Sequence, residues 1–281
     1  MLFEQITIVG VGLIGGSVGL AAKARGAAGR VVGVDRDPNS IAKAQSVGAI
    51  DSGTTDLAAG VAGSQLVVVC TPVDRVAEVI LAAARHVRPG TYFTDGGSTK
   101  GNIVAAVQGK LPPGVEYVAA HPLAGSEKAG AEHGRADLFA GRVTALIVGK
   151  LGSDWGRTVT VGRFWEALGS RVVLMNADEH DRTVAFTSHL PHAVAGAVAG
   201  ITPKEWLHLS AGGFRDVTRV AAGDPDLWAA IFTANRDATL TALTAFNSRM
   251  NEFRKLLEAG DRDGLKRWLN EGKQVRDALG T

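Results

Sequence analysis

The 281-residue chain contains one cysteine, Cys70, so no intrachain disulfide can form. That scarcity fits a reducing compartment. The chain also lacks an excess of either charge: 30 basic residues face 28 acidic ones, a formal net of +2. No Lys/Arg cluster follows the spacing of a phosphate backbone, so no nucleic-acid partner is expected. No stretch reaches the ~18 to 20 uninterrupted apolar residues of a membrane span, so no membrane partner is expected either. Ile6 to Ala22 is nearly all apolar and imitates a secretory core. Its leading flank carries Glu4 and no Lys or Arg, and glycines interrupt it, which is wrong for a signal peptide. The expected location is therefore cytoplasmic. Internal repeats and low-complexity linkers are absent. With 46% apolar residues over this length, one large or two modest domains are expected.

The first half alternates β-branched runs with Ala-rich stretches. Ile6–Val9, Val31–Val34 and Leu66–Val69 read as strands, and Leu13–Arg25, Pro38–Val47 and Val73–His86 as helices, with Asp37 as an N-cap. Leu66–Val69 is apolar throughout, as a strand covered on both faces requires. Tyr92–Thr94, Glu116–Ala119, Val143–Val148 and Arg171–Met175 are further strands, and Asp154–Leu168 a further helix. This alternation predicts an α/β fold with a parallel sheet. From Asp178 onward the pattern is helical: Asp178–Gly200, Pro203–Ser210, Asp226–Ala259 and Arg262–Leu279, broken near Gly212-Gly213 and Gly223–Pro225. The fold class is thus an N-terminal Rossmann-type domain, residues 1–175, followed by an all-α domain, residues 176–281.

Gly10-Val-Gly12-Leu13-Ile14-Gly15 follows a predicted strand and opens a predicted helix. Gly10 permits the tight turn, Gly12 lets backbone approach a pyrophosphate, and Gly15 lets helix and strand pack closely. Free N–H groups at the helix start would receive the phosphates. Asp35 ends the second strand about twenty positions on, where a carboxylate accepts from ribose hydroxyls. Asp35 favours NAD, because it repels a 2′-phosphate. Arg36 beside it leaves NADP open. Thr71 and Pro72 end the third strand at the cofactor crevice, or form an ordinary strand-ending turn.

Three polar segments remain. Thr94–Lys100 and His121–Glu127 each follow a strand, on the side that faces the crevice. A histidine at such a place could accept a proton from a substrate hydroxyl, since its ordinary pKa is near 6.5. Ser188-His189-Leu-Pro-His192 and Gly213–Arg219 lie in the helical half. His189 and His192 share a helix face. No third ligand at metal spacing accompanies them, so no metal is expected. Arg215 and Arg219, with Asp216 between, form either a solvated pair or a cleft-facing carboxylate clamp.

Taken in order, Gly-Val-Gly-Leu-Ile-Gly-Gly-Ser, Asp95-Gly-Gly-Ser98-Thr-Lys100, His121-Pro-Leu-Ala-Gly-Ser-Glu127, Ser188-His-Leu-Pro-His192 and Gly213-Phe-Arg-Asp-Val-Thr-Arg219 resemble the prephenate and arogenate dehydrogenase family of tyrosine biosynthesis. The resemblance spans roughly residues 6 to 228. It implies oxidative decarboxylation of prephenate to 4-hydroxyphenylpyruvate, or of arogenate to tyrosine, with NAD or NADP as oxidant. It implies His121 as acceptor of the ring-hydroxyl proton, with Ser98 orienting that hydroxyl. Arg219 would bind a substrate carboxylate, His189 would share the pocket, and Glu127 and Trp228 would support or gate it. It also implies a homodimer through the helical domain. A fused mutase or tyrosine-binding regulatory domain is not expected, so any tyrosine inhibition would act at the active site. Arg215 stands where other members can carry Lys. The competing enzyme reading is a 3-hydroxyacid dehydrogenase, which looks for a catalytic Lys in a Gly-rich helix of the second domain, and none follows Gly212-Gly213 at a suitable spacing. The competing non-enzymatic reading is a nucleotide-sensing regulator.

Overall fold

A computed structural model of the chain describes residues 1–125, 128–149 and 155–280. Two compact units emerge, Met1–Asn235 and Arg236–Thr281.

The first unit opens with β1 (Phe3–Val9), α1 (Leu13–Ala24), β2 (Ala28–Val34), α2 (Pro38–Ser46), β3 (Ser52–Thr54), α3 (Leu57–Val61), β4 (Leu66–Val69), α4 (Val76–Ala83), β5 (Tyr92–Asp95), α5 (Gly101–Val107) and β6 (Glu116–Tyr117). These strands form a six-stranded sheet in the order β3-β2-β1-β4-β5-β6, and every pair is parallel. The apolar run of β4 explains its central place. Leu66 and Val68 point into one core with Ile6, Ile8, Val18, Phe164 and Trp165. Val67 and Val69 point into the other with Val34, Ile80, Phe93 and Ile103. All four β4 side chains are fully buried, each contributing roughly 1.5–3 kcal/mol of burial. Asp37 caps α2 as expected, accepting from the amides of Asn39 at 3.0 Å and Ser40 at 3.3 Å.

The chain order reverses between β1 and β4, which opens a crevice at their carboxyl ends. There Cys70 N–H donates to the Val9 carbonyl at 2.7 Å. The later strands depart from the expected single parallel sheet. β7 (Ala120–Pro122), β8 (Val143–Ile147) and β9 (Arg171–Met175) form a separate sheet in that order, with α6 (Trp155–Ala167) between the last two. β7 and β8 are antiparallel, and β8 and β9 parallel. The expected strand 116–119 thus ends at Tyr117, and His121 lies within the next strand rather than beyond one. The expected helix from Val73 begins at Val76 and closes in a 3-10 turn at Ala84–His86.

The helical part of this unit comprises α7 (Ala177–Val184), a π turn at Ala185–His189, α8 (Leu190–Ile201), α9 (Gly212–Thr218) and α10 (Pro225–Ala234). Pro191 lacks an N–H and its ring crowds the carbonyl four residues back, so the backbone widens there. Pro203–Ser210, expected as an α-helix, is a 3-10 segment at Lys204–Leu209. The run Ala177–Ile201 has the length and mean hydropathy, 1.2, of a membrane-crossing helix. Its buried polar groups, Asp181, His189 and His192, are instead packed among protein side chains, as described below.

The second unit is α11 (Arg236–Glu258) packed on α12 (Arg262–Ala278). The expected helix 226–259 is interrupted at Asn235, which ends α10. Phe253 and Trp268 rings meet at 5.0 Å, and Arg249 lies over Trp268 at 4.7 Å. Asp261 caps α12 through Gly264 N–H at 2.8 Å.

Candidate active site

The glycine turn sits at the crevice. Gly10 has φ +91°, and a Cβ there would fall 2.7 Å from the Cys70 carbonyl carbon. A Cβ on Gly15 would lie 2.0 Å from the Gly10 carbonyl oxygen. Gly12 differs, because a Cβ there would meet nothing within 4 Å. The packing of the fold therefore demands Gly10 and Gly15 and makes no demand at Gly12. Open space over bare backbone at a helix start is what a bound pyrophosphate needs. Leu13 and Ile14 begin α1 and are half-buried. Asp35 is held in place: its carboxylate accepts from Val11 N–H at 3.0 Å and Asp37 N–H at 3.1 Å. Arg36 is exposed beside it. Across the crevice Thr71 keeps a buried hydroxyl oxygen with no hydrogen-bond partner, and Pro72 is exposed. A bare glycine backbone, an anchored carboxylate and an orphaned hydroxyl together fit a dinucleotide. Burial, with Asp95 nearby, pushes the Cys70 thiol up to about 12, so it stays protonated and unreactive.

A buried polar cluster joins the end of β5 to β7. Asp95 and Lys100 are fully buried and ion-paired. Asp95 also accepts from Tyr117 O–H at 2.8 Å, Ala120 N–H at 3.0 Å and Gly97 N–H at 3.0 Å. Lys100 Nζ donates to the Ala120 carbonyl at 2.8 Å. These bonds pin the crossing from β6 to β7 and so fix His121. Such complete pairing is what keeps two buried charges tolerable. Burial lowers the Lys100 pKa while Asp95 opposes that shift.

His121 Nδ1 lies 2.9 Å from His180 Nε2, and His180 Nδ1 lies 2.8 Å from Asp181 Oδ1. Lys100 N–H and Gly101 N–H donate to the Asp181 carboxylate, each at 2.8 Å. Burial works to raise the Asp181 carboxyl, but hydrogen bonds from His180, Gly101 and Lys100 outweigh it and hold it below its ordinary value. Burial, then the neighbouring His180, Lys100 and His189, push His121 well below the ordinary histidine value. A neutral imidazole at neutral pH can accept a proton.

A ring-lined group adjoins this cluster. His192 stacks on Trp228 at 3.5 Å, and His189 meets Trp228 edge-on at 6.2 Å. His189 Nδ1 lies 3.2 Å from Asn235 Nδ2, which also donates to the Asp181 carbonyl at 2.7 Å. Burial lowers His189 to about 4. The His192 Nδ1 atom is buried without a hydrogen-bond partner. Among the described residues no group of His, Cys, Asp and Glu could hold a metal.

The structure thus joins His121 to His180, Asp181 and Lys100, and gathers His189, His192 and Trp228. Ser98 is half-buried just past β5, and no hydrogen bond ties it to His121. Arg219 is exposed and opens a 3-10 turn, Arg219–Ala222, that packs against α8. Arg215 is also exposed, on α9. Glu127 lies outside the described residues. Sequence reading missed His180, Asp181, Asn235 and the stacking of His192. The one available signal was the charged opening, Asp178–Arg182, of an otherwise apolar helix.

Comparison with known proteins identifies the family. Residues 18–174 match the model of the prephenate dehydrogenase nucleotide-binding domain, and residues 176–271 that of the prephenate dehydrogenase dimerization domain. The cyclohexadienyl dehydrogenase of Zymomonas mobilis is 33% identical, over 100% of this chain and 97% of its own length. The prephenate dehydrogenase of Bacillus subtilis is 31% identical, over 98% of this chain and 76% of its own length. The crystal structure of A. aeolicus prephenate dehydrogenase in complex with hydroxyphenyl propionate and NAD+ superposes with a TM-score of 0.90 at 32% identity, covering 98% of each chain. With both family domains matched in sequence order and a carboxyl-end crevice built for a dinucleotide, the chain belongs to the prephenate dehydrogenase family of oxidoreductases.

Proposed function

We propose that the protein catalyses oxidative decarboxylation of prephenate to 4-hydroxyphenylpyruvate with reduction of NAD. One observation carries the reading: a half-buried histidine, His121, held by His180 and Asp181 beside a crevice whose Gly12 backbone is bare. Residues 1–175 form the cofactor domain and 176–281 the substrate and dimerisation domain. Gly10, Gly12, Leu13, Ile14 and Gly15 receive the pyrophosphate, Asp35 the adenosine ribose, and Arg36, Thr71 and Pro72 border the cofactor. When bound, the dinucleotide supplies the acceptor for the hydride leaving the hydroxyl-bearing ring carbon. His121 takes the hydroxyl proton. The bond to the ring carboxylate then breaks, its electron pair enters the ring, and CO₂ leaves. His121 returns the proton to the oxygen as the ring becomes aromatic, so no net proton is released. Ser98 orients the hydroxyl. Arg219 holds a substrate carboxylate bidentately, and His189, Trp228 and Glu127 complete the pocket.

Asp35 supports NAD over NADP, since both its oxygens are anchored and its charge would oppose a 2′-phosphate. A homodimer is supported by the dimerization-domain match and by exposed apolar residues of α8 and the segment after it, Ile201, Trp206 and Leu209. The location proposed is cytoplasmic.

The second reading, that arogenate is also or instead the substrate, is favoured by the likeness to the Zymomonas mobilis cyclohexadienyl dehydrogenase. Each of the two substrates assayed with each of NAD and NADP, by absorbance of the reduced cofactor, decides among these. Turnover of prephenate with NAD is expected. No turnover of either substrate with either cofactor would refute the reading.

A further inference from the structure

We propose that His180 and Asp181 are positioning residues that hold His121 in the tautomer with Nδ1 protonated and Nε2 bare. The inference rests on His121 being the base of the reaction above, and it follows from counting hydrogens along the chain His121–His180–Asp181.

Asp181 starts the count. Two backbone amides, Lys100 N–H and Gly101 N–H, already point at its carboxylate. A backbone amide cannot reverse its role, so both oxygens must accept. The third neighbour of that carboxylate, His180 Nδ1, therefore donates. A neutral imidazole has one N–H and one lone pair. With its hydrogen committed to Asp181, His180 presents a lone pair at Nε2. That atom lies 2.9 Å from His121 Nδ1, which must then carry the hydrogen. Neutral His121 is left with a bare Nε2, the only form that can take a proton from a substrate hydroxyl through that atom.

The surroundings make the assignment stable. His180 is 1% exposed, so no water competes for its nitrogens. The two rings meet at 68° with centroids 5.1 Å apart, an edge-on contact that leaves the N···N line clear. The Asp181 carboxylate thus sets the tautomer of His121 through His180. Gly101 has a place in this too. A Cβ on Gly101 would lie 3.0 Å from Asp181 Oδ2, so any side chain there would press on the carboxylate that starts the chain.

The test compares His180→Gln with His180→Leu. The Gln carbonyl can accept from His121 Nδ1–H while its amide turns toward Asp181. Leu fills similar volume and accepts nothing. The Leu variant is expected to lose ~100-fold or more in kcat, within the range for disabling a general base, with the KM for prephenate little changed. The Gln variant is expected to recover at least about tenfold of that loss at a similar melting temperature. Equal kcat in the two variants would overturn the proposal. Where the variants do not fold, imidazole nitrogen shifts of isotope-labelled wild-type protein decide the matter. Above about pH 7.5, where an ordinary histidine is neutral, His121 Nε2 should carry no hydrogen. A protonated Nε2 refutes the relay. This measurement needs no substrate, so it stands apart from the functional reading. Failure to turn over either substrate would refute that reading and leave the nitrogen shifts to judge the relay alone.

Discussion

Alanine at Gly12 and at Gly15 should separate the two demands made on the glycine turn. At Gly15 the added Cβ would lie 2.0 Å from the Gly10 carbonyl oxygen and 2.9 Å from the Ile8 side chain. The oxygen is backbone, in a turn where Gly10 has φ +91°, so the strain cannot be relieved by a rotamer change. Forcing one methyl into a close-packed site costs about 1–3 kcal/mol, and a backbone collision belongs at the upper end. For a unit of this size that is a fall in Tm of about 6–12 °C, at 2–4 °C per kcal/mol. At Gly12 the added Cβ meets nothing within 4 Å, and φ is −76°, outside the left-handed region that favours glycine. Stability there should change by no more than about 0.5 kcal/mol. The methyl would instead occupy the space assigned to the pyrophosphate. A tenfold loss of NAD affinity, about 1.4 kcal/mol, is the least expected. Thermal unfolding of the apoprotein, paired with an NADH fluorescence titration, reads both quantities. If Gly12→Ala binds NADH as wild type does, or lowers the apoprotein Tm as far as Gly15→Ala, the cofactor does not lie over Gly12.

Other consequences can be checked in the same preparations. His121→Asn should lower kcat by ~10² to 10⁴-fold with little effect on cofactor affinity, and unchanged turnover would remove His121 from the chemistry. Arg219→Ala should chiefly raise the KM for prephenate, because a carboxylate contact is lost in ground and transition states alike; a wild-type KM would leave Arg219 a surface residue. Gly223→Ala would place a Cβ 2.6 Å from Trp228 Nε1 and 3.0 Å from His192 Cε1. It should disturb the stacked pair and raise KM more than it lowers Tm, and the reverse order would make the stack a packing feature only. Folding stability should fall as pH drops from about 6.5 toward 4. His189, at about 4, and His121, well below its ordinary value, stay neutral when folded. The unfolded chain binds those protons first, near 6.5, and so gains as pH falls. Denaturant midpoints that stay level across this window would show that the fold holds neither histidine neutral.

Local chemistry made much of this protein legible from its sequence. The run Leu66–Val69 announced a strand buried on both faces, because only a central parallel strand covers every side chain of such a run. Gly10, Gly12 and Gly15 between a strand and a helix announced the turn, and Asp37 its helix cap, because both depend on residues within a few positions of one another. Tertiary packing decided the rest. β7 left the main sheet for an antiparallel partner, since Asp95 and Lys100, both distant in sequence from it, pin Ala120 where the crossing is made. Asn235 ended a helix whose periodicity ran on. His180 and Asp181 joined His121 across about sixty positions of chain, and no spacing rule reaches that far. The glycine motif therefore named a dinucleotide site by itself. Which nitrogen His121 turns toward its buried partners depends on residues that only the fold brings together.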